Sequence, residues 1–257
     1  MNSVTMMQLS KRVYLVGGGG FGYSDPRDCH VYLIDGEGEL AIIDSGGGDT
    51  ERLLRNIQNL GFSTRQIKYL INTHCHFDHI GGNKNIKDAS GCKIAIHVEE
   101  AQIAEKLEPE HVLLDMAKEW GLSLEPAKVD IALKGGDTLK TGVCTLKVIH
   151  TPGHSSGSIC ILMEEDGKKM LFTGDTVLAQ GRLSFINGPG FDLTAYKLSL
   201  RKLEKLNIDS IFPGHGTFVL SDAQEHVKLY SAKIHAPWIN VVTAIDLLRY
   251  APRSYNK

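Results

Sequence analysis

The segment Thr73-His74-Cys75-His76-Phe77-Asp78-His79 sets four metal-ligand side chains, His74, His76, Asp78 and His79, within six residues directly after the apolar run Ile67–Ile71. An apolar strand that enters a core cannot end this way without compensation. Each buried polar group left without a partner costs about 1–3 kcal/mol, and here several would be buried together. A cation removes the conflict, because imidazole nitrogen and carboxylate oxygen are the donors expected around zinc. Three protein donors leave a position open for water, so two such sets would make two open sites.

Further donors sit in three glycine-bearing turns: Thr151-Pro152-Gly153-His154-Ser155, Thr173-Gly174-Asp175-Thr176 and Pro213-Gly214-His215-Gly216. Each follows an apolar run. Glycine allows the chain to turn sharply where a strand leaves a sheet, which would present His154, Asp175 and His215 at a common rim. Asp44, at the end of another apolar run, is expected either to fix a histidine tautomer from behind or to serve as a helix cap or turn residue.

Around these turns the chain alternates strand and helix signals. Strands are predicted at 13–16, 31–34 and 40–43, with the turn Asp35-Gly36-Glu37-Gly38 joining the last two as a hairpin. Asp49 or Thr50 would cap a helix carrying Leu53, Leu54, Ile57 and Leu60, which Gly61 ends. A strand at 67–71, a short helix after Gly81-Gly82, a strand at 93–96 and a mostly helical stretch at 98–120, broken at Pro109, complete the first half. The second half repeats the order, with strands from Thr138 and at 145–149, 158–163 and 170–172. A helix at 193–206, a short strand at 211–212 and a helical tail from about 221, broken at Pro237, follow. There is no low-complexity linker, so one domain spanning residues 1–257 is expected, built as a four-layer αββα sandwich.

Charge narrows the partners. Twenty-eight Lys and Arg against 30 Asp and Glu give a formal net charge of -2, with no basic surplus for nucleic acid or an anionic membrane surface. The first residues lack a secretory signal, and no stretch reaches the roughly 18 apolar residues of a membrane span, so a cytoplasmic location is expected. The five cysteines, Cys29, Cys75, Cys92, Cys144 and Cys160, lack CxxC spacing and are read as reduced thiols. Cys75 alternates away from the ligands on either side and is read as structural. The run Gly17-Gly18-Gly19-Gly20-Phe21-Gly22 formally fits a dinucleotide fingerprint. The turn-forming Tyr23-Ser24-Asp25-Pro26-Arg27-Asp28 follows it, so no helix N-terminus can receive a pyrophosphate. A loop able to close over substrate at the metal rim fits better.

The order HxHxDH, PGH, GD, GH resembles the metallo-β-lactamase superfamily from about Val13 to Gly216. The resemblance implies that His74, His76 and His154 hold one metal, that Asp78, His79 and His215 hold a second, and that Asp175 bridges them. Two Zn2+ are expected, with Fe or Mn as alternatives. Two divalent ions ~3.5–4 Å apart would share a water, lower its pKa toward 7 and supply a hydroxide that attacks a carbonyl, with Asp78 orienting it and handling its proton. The segment from Phe172 to Val177 and on to Gly181-Arg182 is similar to glyoxalase II-type thioesterases of acyl-glutathione, although only 41 residues follow Gly216. The segment His74 to His79 followed by Gly81-Gly82-Asn83 resembles acyl-homoserine lactonases. Those enzymes carry a tyrosine three residues after the bridging aspartate, where this chain has Leu178, and Tyr196 is the candidate to replace it in space. The expected activity is hydrolysis of an ester, thioester or lactone in a small-molecule substrate, with Phe21, Tyr23, Phe77, Leu178, Arg182 and Tyr196 as substrate contacts. β-Lactamase activity and a persulfide dioxygenase-like iron enzyme are the alternatives. A homodimer through the C-terminal helix is a further expectation.

Overall fold

The computed structural model describes residues 7–48, 50–186 and 188–236. The first half contributes β1 (Met7–Gln8), β2 (Val13–Gly17), β3 (Val31–Asp35), β4 (Leu40–Ile43), β5 (Ile67–Ile71), β6 (Lys93–His97) and β7 (Ile131–Leu133), hydrogen-bonded in that order into one sheet. Strands β1 to β4 pair antiparallel, and β4 to β7 run parallel. Parallel neighbours need crossovers, which α1 (Thr50–Asn59) provides between β4 and β5. Between β5 and β6 the crossover contains α2 (Phe77–Ile80) and α3 (Asn83–Ser90), and the helices α4 (Ala101–Lys106), α5 (Pro109–Val112) and α6 (Leu114–Glu119) lie between β6 and β7. The second sheet contains β8 (Thr138–Thr141), β9 (Cys144–His150), β10 (Ile159–Glu165), β11 (Lys168–Gly174) and β12 (Ser210–Pro213), ordered β12-β11-β10-β9-β8. Only β11 and β12 pair parallel there, across a crossover containing α7 (Leu193–Leu203), and α8 (Ala223–His235) follows.

The alternation of side chains explains the layers. Along β10, Ile159, Ile161 and Met163 face the first sheet, meeting Tyr32, Ile34, Ala41 and Ile43 in one buried cluster. Their neighbours Cys160 and Leu162 face outward and pack under Leu200, Leu203, Val227 and Tyr230 of α7 and α8. Likewise Leu33 and Ile42 turn away from the sandwich to bury Leu53, Ile57 and Ile86 of α1 and α3. A period of two in strands thus feeds two interfaces from one sequence, giving helix, sheet, sheet, helix. This is the αββα sandwich expected.

Strands β4 and β5 are predicted to the residue, and α1 starts at Thr50; Asp49, the other cap candidate, lies outside the described residues. The break at Pro237 lies outside them too. The short strands β1 and β7, of two and three residues, carry too few positions for an alternation to register. The glycine-rich run forms a single 3-10 turn, Gly19–Phe21, and the chain then passes into β3 without an α-helix. All five cysteines are free and buried, and Cys75 packs with Ile80, Ile96, Ala104 and Val112.

Candidate metal centre

Five strand ends meet at one rim: β4 delivers Asp44, β5 delivers His74, β9 delivers His154, β11 ends at Gly174 beside Asp175, and β12 ends beside Gly214 and His215. The rest of the first motif turns through the single helical turn α2, with His76 at its N-terminal edge. Asn72 and Asn83 exchange amide hydrogen bonds of 3.1 and 2.8 Å, and the Asn72 amide also donates to the His79 carbonyl at 2.9 Å. These buried amides fix the turn that aims Asp78 and His79 inward.

The seven residues expected as ligands come together. His74, His76 and His154 form one group, and Asp78, His79 and His215 another; within each group the donor atoms lie within 4.8 Å of one another. Asp175 stands between them: one carboxylate oxygen is 3.6 Å from His79 Nε2, and the other is 3.7 Å from His154 Nε2 and 3.6 Å from His215 Nε2. Gly214 shows how tight the assembly is. A Cβ there would fall 2.6 Å from Asp175 Oδ1 and 2.7 Å from His79 Cε1, so glycine is required for close approach and not for its backbone angles.

Three of the five rings are oriented from behind. His79 Nδ1 donates to Asp44 Oδ2 at 2.9 Å, leaving Nε2 as the donor toward the centre. Asp44 also accepts from the Thr73 amide at 2.7 Å and from the Thr73 hydroxyl at 2.9 Å, and that hydroxyl accepts from His74 Nδ1 at 3.1 Å. His154 Nδ1 donates to the Ser184 carbonyl at 3.2 Å. Asp44 is therefore a tautomer-fixing residue, buried and held in the left-handed region at φ 62°, where a non-glycine residue costs of order 1–3 kcal/mol. Asp44→Asn is expected to weaken metal binding about 10–100-fold. The single amide oxygen cannot serve His79 and Thr73 as the carboxylate does; competition against a chromophoric chelator measures the loss, and unchanged affinity would contradict the role.

The donor chemistry fits divalent cations. His79 Nε2 and Asp175 Oδ1 are buried with no hydrogen-bond partner. With their Nδ1 protons engaged elsewhere, His74 and His154 aim Nε2 lone pairs at His76 Nδ1, at 2.9 and 3.1 Å, where one proton cannot satisfy both. Burial first, and the neighbouring imidazoles next, hold His74 well below the ordinary histidine range, and His76 is pushed down to about 3. These rings are neutral donors at neutral pH. Burial opposes ionisation of Asp78 and Asp175 as well, but His79 and His215 prevail and keep both carboxylates below their usual range.

Comparison with known proteins agrees. The family model described as the metallo-beta-lactamase superfamily matches residues 24–215. The chain belongs to this superfamily. It is 32% identical over 216 residues to a probable metallo-hydrolase of Methanocaldococcus jannaschii, covering 82% of this chain and 97% of that protein. Hydroxyacylglutathione hydrolase GloC of Haemophilus influenzae is 34% identical over 75% of this chain and 86% of its own length. The atrochrysone carboxyl ACP thioesterase of Aspergillus fumigatus is 29% identical over 86% of this chain and 60% of its own length. Among solved structures, the subclass B3 metallo-beta-lactamase BJP-1 of Bradyrhizobium japonicum superposes with a TM-score of 0.70 at 24% identity, covering 97% of this chain and 94% of that one, which speaks for the fold. The superfamily assignment makes the chain a metal-dependent hydrolase by kinship.

Burial corrects four of the expected substrate contacts. The Tyr196 hydroxyl is fully buried and donates to the carbonyls of Asp175 and Thr176 at 2.8 and 2.9 Å, so it supports the aspartate turn and cannot meet a substrate carbonyl. Phe77 packs on Ala117, Leu122 and Trp120. Leu178 belongs to the core under α7 and α8, and Tyr23 to the core between the sheets. Phe21 and Arg182 remain exposed. Phe21 lies 5.7 Å, ring to ring, from Phe218, which the sequence did not single out. His30, also unassigned, donates its amide to the Gly214 carbonyl at 2.7 Å and helps seat the turn that carries His215.

Proposed function

We propose that this chain holds two divalent cations, zinc by its donor set, and hydrolyses acyl thioesters of small-molecule thiols. His74, His76 and His154 would hold one cation and Asp78, His79 and His215 the other, with Asp175 shared. When bound, the cations supply Lewis acidity, acidifying water and polarising an acyl carbonyl.

The protein's own groups decide which leaving group suits the site. The Asp78 and His215 side chains are 15% and 35% exposed, while those of His79 and His154 are fully buried, so substrate approaches over Asp78 and His215. Asp78 is ionised at neutral pH, orients the attacking water through its carboxylate and relays its proton. The observation that carries the thioester reading is the burial of Tyr196, which removes the phenol expected to assist a lactone carbonyl. A thiol with a pKa near ~8.5 departs with little help, whereas an alkoxide or amide nitrogen demands a proton. Phe21 and Phe218 offer an apolar wall beside His30 for the acyl part, and exposed Arg182 offers a partner for a substrate carboxylate. The thioesterase and hydroxyacylglutathione hydrolase relatives favour the same class.

The test is a panel on the zinc-loaded chain: an acyl-glutathione thioester, an acyl-homoserine lactone and a β-lactam. The thioester is expected to lead in kcat/KM by at least about tenfold, a difference of ~1.4 kcal/mol in transition-state stabilisation. A faster lactone or β-lactam would overturn the choice of bond. One iron per chain with oxygen uptake from a persulfide would replace hydrolysis altogether.

A further inference from the structure

The segment between Asp175 and α7 carries a second-rank structure that neither the ligand motif nor the relatives' names describe. Gln180 is left-handed, with φ of 60°, a conformation a non-glycine residue holds at a cost that its surroundings must offset, and Gly181 follows at 63°. The surroundings are one face of α8. His226, Tyr230 and Lys233 recur at i, i+4 and i+7, which aligns them along the helix. His226 Nδ1 accepts from the Gln180 amide at 2.9 Å, Lys233 Nζ donates to the carbonyls of Gln180 and Gly181 at 3.1 and 2.8 Å, and the Tyr230 hydroxyl accepts from the Ser184 amide at 3.2 Å.

Ser184 then reaches the metal centre twice. Its carbonyl accepts from His154 Nδ1, and its hydroxyl donates to Asp175 Oδ2 at 3.3 Å. A third path runs through the phenols. Because Tyr196 spends its proton on the carbonyls of Asp175 and Thr176, the 2.7 Å contact between the two hydroxyls has Tyr230 as donor. Tyr230 and Tyr196 are both fully buried, so these bonds have no water to replace them.

We propose that Tyr230, acting through Ser184 and Tyr196, is a positioning residue for His154 and Asp175, so that α8 sets the geometry of the metal centre. The inference rests on the metal reading above. It gives α8 a role in the site itself: the helix holds the strap 180–184, and the strap fixes one imidazole tautomer and one carboxylate rotamer. Residues of this kind tune metal affinity without touching the metal.

The experiment uses the full chain as wild type, Tyr230→Phe, Ser184→Ala and Lys228→Ala, the last an exposed α8 residue paired with Glu225. Metal affinity is read by chelator competition, ligand geometry by the absorption spectrum of the cobalt-substituted protein, and folding by the thermal midpoint; kcat and KM are read separately. Tyr230→Phe keeps the ring and removes two hydrogen bonds, the one accepted from the Ser184 amide and the one donated to Tyr196, so it is expected to weaken metal binding about tenfold, the lower end for residues behind a ligand, and to alter the cobalt spectrum. The loss of activity should fall in kcat with KM little changed. Ser184→Ala, which removes only the hydroxyl contact, should show the same changes at smaller amplitude, and Lys228→Ala none. A Tyr230→Phe protein with a lower midpoint but wild-type metal affinity and spectrum would make Tyr230 a packing residue and overturn the proposal. If that variant does not fold, the double variant Ser184→Ala/Tyr196→Phe, which cuts the hydroxyl contact to Asp175 and the phenol path together, takes its place, and unchanged affinity and spectrum there overturn the proposal. A wild-type chain that takes up no metal refutes the metal-centre reading itself, a result distinct from a metal-loaded wild type with indifferent variants.

Discussion

Stripping metal from the purified chain with a chelator is expected to reduce thioester turnover below about 1% and to lower the thermal midpoint by roughly 10 °C, with both restored by added zinc. The activity loss follows from the absence, among the described residues at the rim, of any other group able to acidify water: Asp78 is ionised at neutral pH and Tyr196 is buried. The stability loss follows from linkage. A ligand at ~1,000 times its dissociation constant stabilises the folded state by about 4 kcal/mol, and each kcal/mol moves the midpoint of a chain this size by about 2–4 °C. Without a cation, His79 Nε2 and Asp175 Oδ1 stay buried and unpaired, and three imidazole nitrogens converge on one point. Calorimetry and a turnover assay on the same chelated sample decide the matter; full activity after verified metal removal would end the hydrolase mechanism.

The ligands were legible in the sequence because their chemistry is incompatible with their position. Polar groups such as His74, His76, Asp78 and His79, following directly on an apolar strand, have few physical explanations. The glycine turns before His154, Asp175 and His215 were legible for the same reason. The layers followed from alternation along strands such as β10, where both faces are apolar but their partners differ. What the sequence withheld was depth. Tyr196 and Phe77 are as aromatic in a core as in a substrate wall, and only the packing of α6, α7 and α8 decides that they are buried. The supporting groups were illegible for another reason. Ser184 acts on His154 through its backbone carbonyl, which every residue type possesses, and Asn72 and Asn83 stand eleven residues apart with nothing in either identity to announce the pair. Asp44 was half legible: its strand-end position suggested a supporting role, but which histidine it serves depends on how the turn through α2 folds back.

Asp175→Asn is the substitution that tests the shared carboxylate. Asparagine keeps the size and can still accept from Ser184, so the strap and the fold should survive. The electrostatics do not survive. Two divalent cations would bring four positive charges into a buried site where Asp44, Asp78 and Asp175 return three, and the change removes one of these in a medium that screens weakly. It also turns an amide N–H₂ toward His79 Nε2 on one side or toward His154 and His215 Nε2 on the other, since the carboxylate oxygens lie 3.6–3.7 Å from these atoms. The second group already spends Asp78 on His215 at 3.0 Å, whereas the first is three neutral imidazoles, so the two groups lose different fractions of their negative charge and should not fail together. The expected result is a fall from two metals per chain to about one, with kcat/KM lower by about a thousandfold, or ~4 kcal/mol of transition-state stabilisation. Metal analysis of the dialysed variant beside its kinetics measures both, and a variant that retains two metals and wild-type kcat/KM would show that Asp175 bridges nothing.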